Sequence, residues 1–229
     1  MIRTPPHLPP HRHTNSCVTA EPSAANPEAL LERCDDAPPQ AARRDEWTFV
    51  RSWLSAPLRT GAQWPSGRAL AQEMARAVDP QVPGMVIELG VGTGPVTRAL
   101  IARGVAAERL LLVETNAEFC GLLRQRYPQS QLVQGDALTL PRRLRRELNA
   151  PVAAVVSSLP LMAMPPRVRL RLLHDCLRLM GPGGRFIQFT YATGSPVPLR
   201  KGLSVQAQAS RRVWLNLWPA KVWTYRSFD

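Results

Sequence analysis

Four residues in one short stretch carry the first chemical signal: Glu88, Gly90, Gly92 and Gly94, in Met85-Val-Ile-Glu-Leu-Gly-Val-Gly-Thr-Gly94. The apolar run Met85 to Leu89 reads as a buried parallel strand, and Val96, Leu100 and Ile101 recur at helical spacing after it. Glycines at alternate positions let the backbone turn sharply from strand to helix. They also leave no Cβ in the way of a ligand lying across the turn. A second apolar run, Leu110-Leu-Leu-Val-Glu114, ends on an acid twenty residues after the last glycine. A carboxylate placed there accepts hydrogen bonds from a ribose. A third run, Gln131-Leu-Val-Gln-Gly-Asp-Ala137, ends on Asp136 with Ala137 beside it. One acid at a strand end is also explained as a helix cap; three in succession point to a site.

The spacing separates two ligand classes. A dinucleotide fingerprint is G-x-G-x-x-G with a pyrophosphate on the helix N-terminus, whereas this chain has G-x-G-x-G with Glu88 two residues ahead of it. A carboxylate there repels a pyrophosphate and suits a cation or an amino group. The string resembles the first motif, E/D-x-G-x-G-x-G, of class I S-adenosylmethionine-dependent methyltransferases. That resemblance implies S-adenosylmethionine as cofactor, with Glu114 on the ribose hydroxyls, Asp136 and Ala137 at the adenine, and Glu88 orienting the loop and the methionine end. Ser157 and Ser66 complete the implied cofactor set.

The elements that must position these residues follow from periodicity and punctuation. A Gly/Pro turn over Thr60–Gly67 precedes a helix from Arg68 to Val78, and the loop Asp79–Gly84 leads into the glycine-motif strand. A helix from Ala117 to Tyr127 is stopped by Pro128, and another, Pro141 to Leu148, carries Arg142, Arg143, Arg145 and Arg146. Pro151 to Pro160 reads as a fully buried strand, Arg167 to Met180 as a helix ended by Gly181-Pro-Gly-Gly184, and Arg185 to Tyr191 as the next strand. Arg211–Leu217 and Lys221–Arg226 read as a terminal antiparallel pair. Alternating strands and helices predict an α/β fold, a mostly parallel sheet with helices on both faces. Ligands in such sheets bind at the carboxyl ends of the strands. Ser157, Ser158 and Tyr191 stand at two of those ends.

The 229 residues suit one α/β domain with additions. Residues 1–46, rich in Pro, Ala and polar residues, are expected to be a disordered tail, and His7, His11 and His13 within it to be solvated rather than metal ligands. The four cysteines lack metal-ligand spacing, which suits a reducing compartment. No basic-then-apolar leader and no eighteen-residue apolar run is present, so neither export nor a membrane span is expected. The tail holds five Arg against seven acids, which leaves the remainder near +14 of a total of +12. Such a domain is drawn to a polyanion, nucleic acid or an anionic membrane.

Trp47 to Leu58 is the second informative stretch. On a helical wheel Trp47, Phe49, Val50, Trp53 and Leu54 share one half, Arg43, Arg44 and Arg59 flank the segment, and Pro57 ends it. Aromatics on an apolar face ringed by Arg describe a helix lying in a membrane interface; a helix packed on the domain core reads the same way by pattern alone.

At this point the chain resembles a particular family, the bacterial phospholipid N-methyltransferases that convert phosphatidylethanolamine toward phosphatidylcholine. The similar stretches are Phe49-Val-Arg-Ser-Trp-Leu54, Pro57-Leu-Arg-Thr-Gly-Ala62, Val86 to Gly94, Val133-Gln-Gly-Asp-Ala137, Ser157-Ser-Leu-Pro-Leu161, Gln188-Phe-Thr-Tyr191, Val213-Trp-Leu-Asn-Leu217 and Ala220-Lys-Val-Trp223. It departs from the family at Trp64, Gly67 and Ser158. The resemblance implies a Rossmann-like seven-stranded sheet with one antiparallel strand, and an N-terminal membrane-binding helix (47–66) that covers the active site of a methyltransferase domain (67–229). It further implies Tyr191 and Ser158 at the lipid amine, an anionic membrane as partner with no nucleic acid, a monomer in solution, and a place on the cytoplasmic face of the inner membrane. Proton loss from the amine is expected to go to water, or through Tyr191 and the backbone of Ser157 to Leu159, with His174 mid-helix and away from the site. Two rivals stand beside this reading. Adenine N6-methyltransferases of ribosomal RNA share the glycine motif, yet carry Asn or Asp and a stacking aromatic where this chain has Ser157-Ser-Leu-Pro-Leu161. The other rival is a non-catalytic peripheral membrane protein with a vestigial fold, against which the intact acid and glycine set argues.

Overall fold

The computed structural model describes residues 65–199, 204–213 and 219–227, with no account of the side chains of Pro65 and Ser66. Helix α1 (Pro65–Arg76) precedes strand β1 (Met85–Leu89), and then α2 (Pro95–Ala102), β2 (Leu110–Glu114), α3 (Ala117–Arg126) and β3 (Gln131–Gln134) alternate. The chain continues through α4 (Leu140–Glu147), β4 (Val152–Ser157), α5 (Pro166–Met180), β5 (Arg185–Thr190), β6 (Val205–Ala209) and β7 (Lys221–Ser227). These strands form one sheet in the order β3-β2-β1-β4-β5-β7-β6. The first five are mutually parallel, and β7 runs antiparallel to both β5 and β6.

Alternation along the strands divides the core into two layers. Ile87 and Leu89 face one way, with Leu111, Val155 and Phe186, and are covered by Leu140 and Leu144 of α4 and Leu172, Leu173 and Leu177 of α5. Val86 faces the other way, with Leu110, Leu112 and Val156, under Leu70 and Met74 of α1, Val96 and Leu100 of α2 and Leu123 of α3. β2 and β4 are buried along their whole length, as expected of central parallel strands covered on both faces.

Local chemistry sets the element ends. Asn116 caps α3 by accepting from the backbone N–H of Glu118 at 2.8 Å and of Phe119 at 3.3 Å. Pro65 opens α1, where a proline's missing N–H costs nothing, so the helix begins inside the stretch read from sequence as a Gly/Pro turn. The terminal pair needs a larger correction. β7 is where the sequence places it, but its partner is Val205–Ala209; of the expected strand Arg211–Leu217, only Val213 forms a bridge, to Ala220, among the described residues. Val-Gln-Ala-Gln-Ala alternates without large apolar side chains, and an edge strand of that kind leaves a weak pattern.

The strand order reverses between β1 and β4. In open α/β sheets that switch point opens the crevice in which ligands bind. The glycine loop leaves β1 on one side of it and the Ser157–Leu161 loop leaves β4 on the other.

Candidate active site

The glycine loop is held from three sides. Gly90, Gly92 and Gly94 all have positive φ. At Gly94 a Cβ would lie 2.7 Å from the Tyr127 ring, whose hydroxyl donates to the Gly94 carbonyl at 2.9 Å. Arg126 donates to the neighbouring Thr93 carbonyl at 2.8 Å. At Gly90 a Cβ would lie 2.9 Å from Cδ2 of Leu159, so here the glycine loop and the loop after β4 touch. Gly92 has nothing within 4 Å of where its Cβ would stand. It is the part of the loop that faces open space.

Glu114, at the end of β2, ties this loop down. Its Oε2 accepts from the Gly92 N–H at 2.9 Å, and Oε1 accepts from the N–H groups of Thr115 at 2.9 Å and Asn116 at 2.8 Å. The Gly135 N–H donates to the Glu114 carbonyl at 3.0 Å, which brings the end of β3 alongside. Asp136 is exposed just beyond β3, and its Oδ1 accepts from the Leu138 N–H at 2.9 Å. It therefore forms a turn cap while still presenting a carboxylate at the strand end. Ala137, next to it, is buried in the core.

Glu88 is different in kind. It is wholly buried on the α1–α2 side of the sheet, where Oε2 accepts from Thr97 Oγ1 at 2.7 Å and Oε1 has no hydrogen-bond partner. Burial pushes its carboxyl up to about 8; the Thr97 hydroxyl opposes the shift and the nearby Glu114 charge adds to it. At neutral pH the group is largely protonated.

On the other side of the crevice, Ser157 is buried and its Oγ accepts from the Leu159 N–H at 3.4 Å. Ser158 is half-buried and its N–H donates to the Leu89 carbonyl at 2.9 Å, extending the β1–β4 ladder by one bond. Below the loop lies Gln188 of β5, fully buried, whose Nε2 donates to the carbonyls of Leu159 at 2.8 Å and Phe189 at 2.9 Å. Tyr191 follows β5 with 42 % of its surface exposed and its ring edge-on to Phe189 at 5.6 Å. Partial desolvation raises its phenol above the usual range. The phenol therefore stays protonated at neutral pH.

Of the residues read from sequence, Glu88, Gly90, Gly92, Gly94, Glu114, Asp136, Ala137, Ser157, Ser158 and Tyr191 thus gather at the carboxyl edge of β1 to β5. His174 lies on α5 with Nδ1 3.5 Å from Asp175 Oδ1, apart from this cluster. Ser66 is in the first turn of α1, but its side chain lies outside the described residues, as do Trp47, Phe49, Val50, Trp53 and Leu54. Sequence reasoning missed Thr97, Tyr127 and Gln188. The signal for Gln188 was present: a lone amide in the apolar strand Arg185-Phe-Ile-Gln-Phe-Thr190.

The residues fit S-adenosylmethionine on structural grounds. Open space faces Gly92, an acid clamps the loop at the end of β2, and a buried carboxyl oxygen of Glu88 beside the loop has no partner. A family model described as "Methyltransferase domain" matches residues 86–184. A protein of Singulisphaera acidiphila named ornithine lipid N-methyltransferase is 30 % identical over 64 % of this chain and 78 % of its own length. A ribosomal RNA small subunit methyltransferase A of a Synechococcus strain is 38 % identical over 41 % of this chain, which spans only 31 % of that relative. Among solved structures, a Burkholderia thailandensis 1,6-didemethyltoxoflavin-N1-methyltransferase with bound S-adenosylhomocysteine superposes with a TM-score of 0.59 at 19 % identity, over 85 % of this chain and 93 % of that one. The fold, the glycine loop with its acids and these matches lead to one conclusion: the chain belongs to the class I S-adenosylmethionine-dependent methyltransferases, and S-adenosylmethionine is its cofactor.

Proposed function

We propose that this enzyme methylates the amine of phosphatidylethanolamine, on the way to phosphatidylcholine, at the cytoplasmic face of the inner membrane. It does so as a monomer with no nucleic-acid partner. The observation that carries the reading is the acceptor loop. Ser157-Ser-Leu-Pro-Leu161 offers neither an Asn amide nor an aromatic face, and Leu161, where a stacking ring would be needed, is turned into the core at 2 % exposure. A flipped base needs a π surface to stack on; an aliphatic amine does not. The relative named ornithine lipid N-methyltransferase, by its name, acts on a lipid amine and supports the same acceptor class. No helix among the described residues is long and apolar enough to cross a membrane.

When bound, S-adenosylmethionine supplies an electrophilic methyl group that needs no further activation. This chain's residues then do the positioning. The Glu114 clamp fixes the glycine loop, and Gln188, by donating to the Leu159 carbonyl, fixes the loop after β4 that borders the acceptor. Tyr191, held protonated, donates to the lipid phosphate. A primary ammonium with an ordinary pKa near ~10 must lose its proton before it attacks, and that proton leaves to water at the open edge.

The test is incubation with methyl-labelled cofactor and three separate acceptors: phosphatidylethanolamine vesicles, ornithine-lipid vesicles and ribosomal RNA. Label in N-methylated phosphatidylethanolamine is the expected result. Label in ornithine lipid alone would move the substrate within the amine lipids. Label in adenine would overturn the reading.

A further inference from the structure

We infer that the outer face of α5, together with the apolar rim formed by Met162 and Tyr191, is a docking surface for an anionic phospholipid bilayer. The choice of a bilayer as occupant rests on the lipid reading above.

The charge is unevenly placed. Residues 140–180 hold eight arginines against two acids, which is half of the chain's net +12. Both acids are already paired: Glu147 with Arg143 at 3.3 Å, and the buried Asp175 with Arg142 at 2.9 Å. Arg169 is occupied as well, donating to the Pro196 carbonyl at 2.9 Å. Arg178 has an interaction partner too, which leaves Arg167 and Arg171, exposed on one side of α5, and Arg145 and Arg146, exposed on α4. None of these four has a hydrogen bond or ion pair among the described residues. A surface that needs only solubility mixes both signs of charge; a face of one sign builds a field that attracts a polyanion.

Position ties this face to the site. The helices run back along the sheet from the carboxyl ends of the strands, so α5 begins at the mouth of the crevice, and Arg167 and Arg171 fill its first two turns. Two large apolar side chains stand exposed at the same edge: Met162, 52 % exposed in the short turn after the β4 loop, and Tyr191 after β5. Arg169 Nη1 lies 3.3 Å from the Met162 sulfur and keeps that side chain at the rim. Basic side chains beside exposed apolar ones are the composition of an interfacial surface, in which arginines meet phosphates and apolar groups enter the acyl boundary. Single-stranded nucleic acid would call for aromatics interleaved with the arginines, and α4 and α5 contain no Phe, Tyr or Trp. The exposed apolar rim therefore favours the bilayer.

The experiment compares two charge-matched variants of the full chain, Arg167→Gln/Arg171→Gln on this face and Arg103→Gln/Arg124→Gln on the opposite helix layer. Both are floated with vesicles of phosphatidylethanolamine and phosphatidylglycerol, and cofactor affinity by calorimetry serves as the folding control. Each arginine at an anionic surface contributes about five-fold to partitioning. The first variant should thus bind about twenty-five-fold more weakly at low salt, and the second within about two-fold of wild type. Equal losses in the two variants, or no loss in either, would overturn the docking surface. So would a loss of ribosomal RNA binding in the first variant with vesicle binding intact. Flotation that depends on Arg167 and Arg171 in a protein that methylates no lipid would support the surface and remove the proposed substrate, so the two readings fail separately.

Discussion

The backbone N–H of Gly92 donates to Glu114 Oε2 at 2.9 Å, across a separation of 22 residues. This bond joins the middle of the glycine loop to the end of the neighbouring strand. It sets the loop's shape before any cofactor arrives, and it occupies a carboxylate that sequence reading assigned to the ribose alone. Glu114 accepts three backbone N–H bonds, and its remaining lone pairs are what it has to offer a ligand.

Glu114→Ala should therefore damage the cofactor site twice, by removing an acceptor and by freeing the loop. A charge-assisted hydrogen bond contributes about 1.5–3 kcal/mol, so S-adenosylmethionine affinity should fall by roughly ten- to a hundred-fold. Calorimetry on the folded variant measures it, and unchanged affinity would remove Glu114 from the site.

Glu88 makes the enzyme's stability depend on pH. Its carboxyl is raised from 4.5 to about 8 in the folded chain, whereas in the unfolded chain it ionises at the ordinary value. Between those two pH values the native state holds one more proton, so stability falls as pH rises, by up to about 1.4 kcal/mol per pH unit, and levels off above the folded value. Glu88→Gln has no proton to lose, and its denaturation midpoint should be flatter with pH across that window. Parallel curves for wild type and variant would show that Glu88 is ionised in the native protein.

Gln188→Leu should separate acceptor geometry from cofactor binding. The variant leaves the carbonyls of Leu159 and Phe189 without their side-chain donor, a penalty of about 1–3 kcal/mol. Turnover should drop about ten-fold or more while cofactor affinity holds, because the glycine loop and Glu114 are untouched. A kcat equal to wild type would mean that the loop keeps its shape unaided.

Tyr191→Phe removes one hydroxyl at the mouth and keeps the ring that packs on Phe189. The loss of one hydrogen bond corresponds to about a two- to ten-fold fall in methylation of vesicle lipid, with cofactor affinity intact. Full activity on vesicles would assign Tyr191 to packing alone.

The amino-acid sequence by itself determined the strand-and-helix alternation and the carboxyl edge at which the acids and glycines gather. Those are local signals: an apolar run ending in an acid, a glycine where the chain must turn, a proline where a helix starts or stops. The tertiary structure alone decided how the pieces are joined. The partner of β7 is a weakly patterned edge strand 205–209, chosen by pairing across the sheet and not by its own hydrophobicity. Arg109, one positive charge among many in the sequence, places its guanidinium on the carbonyls of Gly84, Pro80 and Val82 and fixes the loop before β1. Gln188 reaches Leu159, and Thr97 reaches Glu88, only because the sheet sets β5 beside β4 and α2 over β1. Burial acts the same way: the apolar run around Glu88 reads as a buried strand, but only the packed helices of the closed fold shut the carboxyl wholly away from water, and that exclusion is what raises it to about 8. Hydrogen bonds across 20 or 30 residues, and desolvation by packed layers, are properties of the closed fold, so local pattern does not decide them.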